Sequence, residues 1–320
     1  MPVDTPRKPE NEPEAVKAPE AVQESPLKCE VFGRSLPRNE SDPNLDTFFV
    51  DEAEGIVGVF DGMSSNPLSI LASQAAQEFL GSPVAFELFK GPKTIRQMEQ
   101  TMKKIFELIW LEIRKKVILN NVQSGIGTTA VVGKYWRDKK GRHILTAGHL
   151  GDSRLYRRRG DSITCMTADH SMANHALLRL PDGESRLFEW QRQIDQITTS
   201  AQFREFLRAR GLRRKRLENV LQYRGAMTRF LSGAVNDCDF PVVSHMQAEH
   251  EDEFYLTTDG AHGNVPLPQF CEIACSDASL SSKVEHLLVA ASVNAEQGSE
   301  VNFHFGPDDR TVAALRPIFE

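Results

Sequence analysis

Residues 47–62 read TFFVDEAEGIVGVFDG, and this stretch decides the class of fold. An acidic turn separates the aromatic and apolar residues 48–50 from the apolar run 56–60. Short runs of aromatic and β-branched residues with a turn between them are typical of paired strands. The stretch therefore predicts a β-hairpin whose second strand ends at Asp61-Gly62.

Two helices are predicted downstream of the hairpin. Asn66 can cap the first, Pro67 fits its first turn and Gly81 can close it. The second begins near Thr94 and places apolar side chains at three- and four-residue steps, which predicts one buried stripe. The stripe comprises Ile95, Met98, Met102, Ile105, Phe106, Ile109 and Ile113.

Further strands follow at intervals to the end of the chain. They are predicted at 128–133, 143–150, 154–158, 253–257 and 311–315. Strand runs and helix runs are segregated, which favours an antiparallel α+β domain. Between about residues 172 and 224 lies a strongly charged stretch with helical pattern and no strand signal, and we interpret it as a helical insertion or flap.

Composition narrows the class of protein. The 320 residues are 40% hydrophobic and 26% charged, as in ordinary globular proteins. Residues 1–28 are rich in Pro, Glu, Lys and Ala, which predicts a disordered tail before a domain at 29–320. The net charge of −6 argues against general nucleic-acid binding. Five scattered cysteines and the lack of a run of about 20 apolar residues predict a cytoplasmic protein with no disulfide framework and no membrane partner.

Four aspartates stand at strand ends or in tight turns beside strands: Asp46, Asp61, Asp259 and Asp308. Carboxylates in such places are held by rigid elements while staying accessible. Mg²⁺ and Mn²⁺ prefer oxygen ligands, and paired ions can generate a hydroxide for attack on phosphorus. The pattern favours these ions over zinc, and leaves open which of the two binds.

Seven short motifs, in order along the chain, resemble those of the metal-dependent protein phosphatase family, the type 2C serine/threonine phosphatases. They are Asn44–Asp51, Val59–Met63, Gly127–Ala130, the pair Gly151–Arg154 with Thr167–His170, then Thr228–Leu231, Leu256–Gly260 and Asp308–Val312. The resemblance covers nearly the whole chain after the tail.

This resemblance implies a four-layer α-β-β-α sandwich of two antiparallel sheets with helices outside. It also implies a site at one edge that holds two Mg²⁺ or Mn²⁺ ions. Asp61 would bridge the ions, the Gly62 carbonyl would bind one, Asp259 and Asp308 would hold the other, and Asp46 would act through coordinated water. The bridging hydroxide would attack a phosphoserine or phosphothreonine of a phosphoprotein substrate directly.

Three departures from the family pattern affect the predicted site. The usual phosphate-binding arginine, five positions before Asp46, is replaced by Ser41, and Arg38 is the nearby candidate, with Arg34 behind it. Carboxylates for a third metal ion are expected before the Gly-Thr-Thr segment and at Gly263, and neither is present, so a third site is predicted to be absent or weak. Ser64-Ser65 replaces a Gly-Gly pair and would narrow the approach.

Other polar residues in the motifs are given structural roles. Asp152 and Asp169 are expected to tie loops together, and Arg154 to be a buried partner. His262 is the one histidine near the proposed ions and is a weaker candidate for a proton donor. The basic run between Arg208 and Arg216 is either a solvated helix face or a docking patch for acidic substrates.

Three functions therefore remain open from the sequence. The first is an active protein phosphatase with Asp61 and Arg38 in catalysis. The second is a pseudophosphatase or regulatory binding module on the same fold, and the third is a hydrolase of a small phosphorylated molecule. Oligomeric state is left undecided.

Overall fold

The computed structural model describes residues 27–122, 125–197, 199–223, 226–233, 240–297 and 307–319. The predicted tail lies outside these residues up to residue 26, and the first strand begins at Lys28. Within the described ranges no helix is long and apolar enough to cross a membrane. The four described cysteines, Cys29, Cys165, Cys271 and Cys275, are free thiols.

Two five-stranded antiparallel sheets form the centre of the molecule. The first sheet has the order β1 (Lys28–Leu36), β12 (Arg310–Ile318), β11 (Glu253–Thr257), β7 (Arg154–Arg159) and β8 (Ser162–Cys165). The second has the order β10 (Val242–Gln247), β6 (His143–Leu150), β5 (Ala130–Arg137), β3 (Ile56–Phe60) and β2 (Thr47–Asp51). A short pair, β4 (Gly127–Thr128) and β9 (Leu231–Ser232), lies beside them.

Helices cover both outer faces. They are α1 (Ile70–Leu80), α2 (Pro83–Lys90), α3 (Ile95–Leu119), α4 (Met172–Leu178), α5 (Gly183–Ile194), α6 (Ser200–Ala209), α7 (Arg214–Gln222), α8 (Asp259–His262), α9 (Leu267–Ala274) and α10 (Leu280–Glu296). Asn66 caps a short 3₁₀ turn at Pro67–Ser69 rather than α1 itself, because its side chain accepts from Leu68 N. Thr94 caps α3 as predicted.

The four layers explain the sequence of the decisive strand. In β3, Ile56 and Phe60 pack in the core beneath α1 and α3, while Val57 and Val59 pack in the core between the two sheets. A strand covered on both faces reads as a continuous apolar run rather than an alternating one. Helices α9 and α10 cover the outer face of the first sheet. The predicted α+β sandwich is confirmed.

The stretch from 172 is a folded helical unit with a core of its own. Helices α4 to α7 bury Leu177, Trp190, Phe203 and Leu217 against one another. Its two ends are held together at the base, where Met172 N donates to Ala226 O at 2.9 Å. We call this unit the helical insertion; residue 224, its predicted end, lies outside the described part of the chain.

Candidate metal centre

Five aspartates lie at one edge of the sandwich. Asp46 precedes β2 and Asp61 follows β3, and these strands pair so that Thr47 faces Phe60. In the other sheet Asp259 follows β11 and Asp308 precedes β12, which run antiparallel side by side. The fifth, Asp152, is in the turn between β6 and β7. We call these five side chains the carboxylate cluster.

Burial and mutual repulsion dominate the electrostatics of the cluster. Burial raises the pKa of Asp61 well above its usual range, and the charges of Asp46 and Asp259 raise it further. Burial, followed by the charge of Asp259, raises the pKa of Asp308 to about 7. Like charges brought together in a poorly solvated place disfavour ionisation in this way. A positive charge bound among these carboxylates would therefore stabilise their ionised forms.

Hydrogen bonds from two threonines fix Asp46, which is 4% exposed. Its Oδ2 accepts from Thr258 Oγ1 at 2.7 Å and from Thr311 Oγ1 at 2.9 Å. Thr258 precedes α8 and Thr311 is in β12, so both hydroxyls come from the first sheet. The hydroxyls thus join Asp46, at the start of the second sheet, to the edge of the first.

The Gly-Thr-Thr motif holds the backbone of Asp61. Thr129 N donates to Asp61 O at 2.9 Å, and Thr128 Oγ1 donates to the same oxygen at 2.8 Å. Asp61 N donates to Thr129 Oγ1 at 3.3 Å. The strand end is thereby fixed independently of the Asp61 side chain, which lies partly exposed at the edge.

The two Asp-Gly glycines are required by neighbouring backbone. A Cβ on Gly260 would lie 1.9 Å from Asp309 O, and one on Gly62 would lie 2.6 Å from Leu45 O. Glycine in an Asp-Gly pair can in general make room for a ligand to approach the backbone. The space that a side chain would need is instead filled by the chain itself, so each glycine lets a cluster aspartate sit against the adjoining segment.

Arg38 lies at the rim of the site. Its Nη2 donates to Asp42 Oδ2 at 2.6 Å in an exposed pair, and its charge also acts on Asp308. Its backbone N donates to Asp309 Oδ1 at 2.6 Å, and Leu45 N donates to the other oxygen of that carboxylate at 2.7 Å. Asp309 therefore fixes the loop between Arg38 and Leu45.

Ser41 occupies the position where the family pattern has an arginine, and it is exposed in the same loop. Its hydroxyl donates to Asn39 Oδ1 at 2.8 Å. The replacement puts a short neutral side chain there and leaves Arg38 as the cation whose charge reaches Asp308.

Asp152 is the site residue that the sequence interpretation missed. Burial and the charge of Asp259 raise its pKa well above the usual range, and it in turn raises the pKa of Asp61. The signal was present in the sequence, since Gly151-Asp152 follows a buried apolar strand just as Asp61 does. Asp169, by contrast, pairs with Arg154 at 2.7 Å, in agreement with the predicted structural role.

The histidines near the site make ring-stacking and hydrogen-bond contacts within the protein. His149 and His170 stack at 4.6 Å between ring centroids, and burial lowers their pKa values to about 4 and about 2. His262 is 8% exposed, and its Nδ1 shares a hydrogen bond of 3.0 Å with Thr257 Oγ1. His149 and His262 are each three residues along the chain from a cluster aspartate, Asp152 and Asp259 respectively.

The donor set fits hard divalent cations. All five side chains are carboxylates, and a bound cation would relieve their repulsion. Among the described residues, no three Asp, Glu, His or Cys side chains already surround a common point as metal ligands do. The Asp61 and Asp259 carboxyls instead share a hydrogen bond, which requires one of the two to be protonated. Ligation would replace that hydrogen bond within the existing strand ends.

The predicted third metal site stays a prediction. Gly263 ends α8 and offers no side-chain ligand. Ser124 lies outside the described residues, and Ile126 is buried. Ser64 and Ser65 are exposed in the turn after the first Asp-Gly pair, so the expected narrowing of the approach is also untested.

The fold is that of the metal-dependent (PPM-type) serine/threonine phosphatases, as the motif resemblance predicted. The Mycobacterium tuberculosis serine/threonine phosphatase PstP/Ppp has a TM-score of 0.62 and 18% identity over 91% of this chain and 99% of its own. Stp1 from Staphylococcus aureus has a TM-score of 0.61 and 19% identity, covering 92% of this chain and 96% of its own. The PstP catalytic domain in complex with two manganese ions has a TM-score of 0.59 and 18% identity, covering 92% of this chain and 100% of its own. No protein-family model and no curated protein sequence matches the chain.

Proposed function

We propose that this protein is a divalent-metal-dependent phosphatase that hydrolyses phosphoserine and phosphothreonine in proteins. The observation that supports the proposal most directly is the cluster of poorly solvated, mutually repelling carboxylates at one edge of a phosphatase-type sandwich. The alternative of a small phosphorylated substrate gains no support from the helical insertion, which adds surface beside the site. A cytoplasmic location remains an expectation of the sequence.

The ligands of two Mg²⁺ or Mn²⁺ ions would be Asp46, Asp61, Asp259, Asp308 and the Gly62 carbonyl. When bound, such ions polarise phosphoryl oxygens and lower the pKa of bound water, which makes water a nucleophile near neutral pH. The chain's own contribution is to hold the ligands on strand ends that hydrogen bonds have already fixed. Asp46, acting through water, would keep its threonine partners.

Asp152 joins these ligands in the proposal. It lies in a tight turn whose backbone is held from outside, because His170 N donates to Gly151 O at 2.9 Å. The charge of Asp259 raises the pKa of Asp152, and the charge of Asp152 raises the pKa of Asp61. It would therefore take part in the same charge balance as the two ions.

Arg38 would orient the phosphate. Its present partner Asp42 is exposed, and water and salt screen an exposed ion pair, so exchange for a phosphate costs little. A guanidinium suits a phosphoryl group because it donates two parallel hydrogen bonds. The Asp309 carboxylate holds the Arg38 backbone in place, so that only the side chain has to move.

One alternative keeps the fold without the reaction. Ser41 stands in the usual arginine position and Arg38 is paired with Asp42, which would suit a pseudophosphatase that binds phosphoproteins or metal without turnover. The two functions differ in hydrolysis and agree in metal binding. Measuring hydrolysis and metal binding on the same protein therefore distinguishes the phosphatase from the pseudophosphatase.

The test is hydrolysis of a phosphothreonine peptide by the purified protein, first in chelator and then at millimolar Mn²⁺ or Mg²⁺. Turnover is expected only with metal, and Asp61→Asn and Asp259→Asn are expected to lower kcat/KM by at least about a hundredfold. Asp277→Asn, an exposed aspartate away from the cluster, is the matched control and should retain full activity. A folded wild-type protein that binds Mn²⁺ in calorimetry without turnover would reject the enzyme in favour of the binding module.

A further inference from the structure

The helical insertion contains a strongly basic pocket of about 580 Å³. The pocket lies between the end of α4 and the start of α7, and half of its eight lining residues are cations: Arg179, Arg213, Lys215 and Arg216. No acidic side chain lines it. A volume of this size is typical of ligand sites and holds several side chains. We call it the basic pocket.

The cations of the basic pocket have no anionic partners in the described part of the chain, in contrast to two other arginines of the insertion. Arg186 pairs with Glu189 at 2.9 Å, and Arg204 pairs with Glu218 at 2.8 Å. In the pocket, Arg216 Nη2 is buried and donates no hydrogen bond within the described residues. A buried donor without an acceptor is destabilising, so an acceptor that reaches it would be bound favourably.

The start of α7 adds positive potential to the pocket. Arg213 is the residue before the helix, and its side chain provides no cap. Lys215 and Arg216 lie in the first turn, which contains no acidic residue. Because the amino end of a helix bears a partial positive charge, cations there destabilise the helix and anions stabilise it. The start of α7 therefore has cations where helices usually have acidic residues, and a bound anion would offset their unfavourable interaction with the helix dipole.

The basic pocket stands on a rigid connection to the carboxylate cluster. Helix α4 begins three residues after Asp169, and Arg154 binds both Asp169 and Asp195 of the insertion. The seven residues of α4 span about 10 Å, which separates the pocket from the base of the insertion. An extended peptide advances about 3.3 Å per residue, so three to five residues cover such a distance.

Resting on the proposed function, we propose that the basic pocket docks a carboxylate-rich segment of the phosphoprotein substrate, several residues from the phosphorylated side chain. Acidic side chains match its charge, and their spacing along a peptide matches cations distributed over the pocket. The lining contains no aromatic side chain on which bases would stack, unlike single-strand nucleic-acid sites.

The experiment uses the full chain in chelator, so that binding is measured without turnover. A fluorescein-labelled, unphosphorylated peptide of alternating Asp and Gly is titrated, and anisotropy gives Kd. The variant Arg179→Glu/Lys215→Glu reverses two pocket charges, and Arg192→Glu/Arg208→Glu reverses two exposed charges of the same insertion outside the pocket. Pocket reversal is expected to weaken binding by about tenfold or more, and the control reversal by less than about twofold.

Kinetics then connect the pocket to catalysis. With a phosphothreonine peptide that carries aspartates four residues away, the pocket variant should raise KM about tenfold with kcat unchanged. Its hydrolysis of para-nitrophenyl phosphate should equal that of wild type, because this small ester cannot reach the pocket. If hydrolysis fails everywhere while peptide binding still depends on the pocket, the phosphatase proposal falls and the docking site stands.

Three results would overturn the docking site. Wild-type protein that does not bind the acidic peptide at low salt has no such site. Equal loss in the pocket and control variants would show a general effect of charge. Tighter binding of an RNA oligonucleotide, or of vesicles containing phosphatidylserine, than of the peptide would assign the surface to a different partner.

Discussion

Replacing Arg154 with methionine is expected to lower the free energy of unfolding by about 3 kcal/mol. Arg154 is 7% exposed and uses all five of its N–H donors. Two bonds go to Asp169 at 2.8 and 2.7 Å, two go to Asp195 at 2.9 and 3.0 Å, and one goes to the Tyr156 hydroxyl at 3.2 Å. This guanidinium is the joint between the sandwich and the helical insertion.

The magnitude follows from what methionine leaves behind. Removing one partner of a buried ion pair costs about 3–5 kcal/mol, because the remaining charge loses its compensation. The side chains of Asp169 and Asp195 are 16% and 24% exposed, so water compensates part of their charge. The lower end of the range is therefore expected. Methionine keeps most of the volume, so a cavity contributes little.

Urea denaturation followed by far-ultraviolet circular dichroism measures the loss. Arg192→Met removes an exposed arginine of α5 and should change stability by less than about 0.5 kcal/mol. Adding Asp169→Asn and Asp195→Asn to the Arg154→Met protein should recover part of the stability, since the unpaired charges are then gone. A loss below about 1 kcal/mol, or no recovery in the triple variant, would refute uncompensated charge as the cause.

Two further predictions test the packing and the pH dependence. Gly260→Ala should cost about 3 kcal/mol and abolish metal-dependent hydrolysis, because its Cβ would lie 1.9 Å from Asp309 O, whereas Gly91→Ala has only a contact at 3.9 Å and should be neutral in urea denaturation and peptide hydrolysis. For Glu253, burial favours a higher pKa, but hydrogen bonds from Lys283 and two further side chains outweigh it and hold the pKa below its ordinary value. The stability from this carboxylate is thus present above the unfolded pKa and is lost as pH falls through the folded one. Unfolding free energies between pH 3 and 7 should show a shallower acid-side slope in Glu253→Gln, and an unchanged slope would contradict the assignment.

The sequence predicted elements whose signals are local, and missed those that depend on distant partners. The strand 56–60 and the helix α3 were recognisable because their apolar spacing reflects the layers that cover them. Strand β1, KCEVFGRSL, has weak alternation and is a strand through its nine-residue pairing with β12, near the other end of the chain. Helix α2 was missed between two stronger helices, although Ser82 caps it and Pro83 begins it.

The candidate site shows the same division. Asp46, Asp61, Asp259 and Asp308 were proposed from their places at strand ends, and the strand register brings those ends to one edge. The second partner of Arg154 could not be proposed, because Asp195 is 41 residues away in an insertion whose packing the sequence did not reveal. Its position at the end of α5 gives no sign of that contact.

The basic residues of the helical insertion can be explained by the negative charges of both the protein and its proposed substrate. A phosphoprotein substrate is anionic, and it must approach a protein of net charge −6 at an edge lined with aspartates. Helix α4, about 10 Å long, stands between the basic pocket and the base of the insertion, and the screening length at physiological salt is about 8 Å, so the pocket cations do little to the potential at the reacting phosphate. Their effect must come through direct contact with the substrate. Loss of pocket charge should therefore appear in KM and in peptide affinity rather than in the rate of hydrolysis of a small ester.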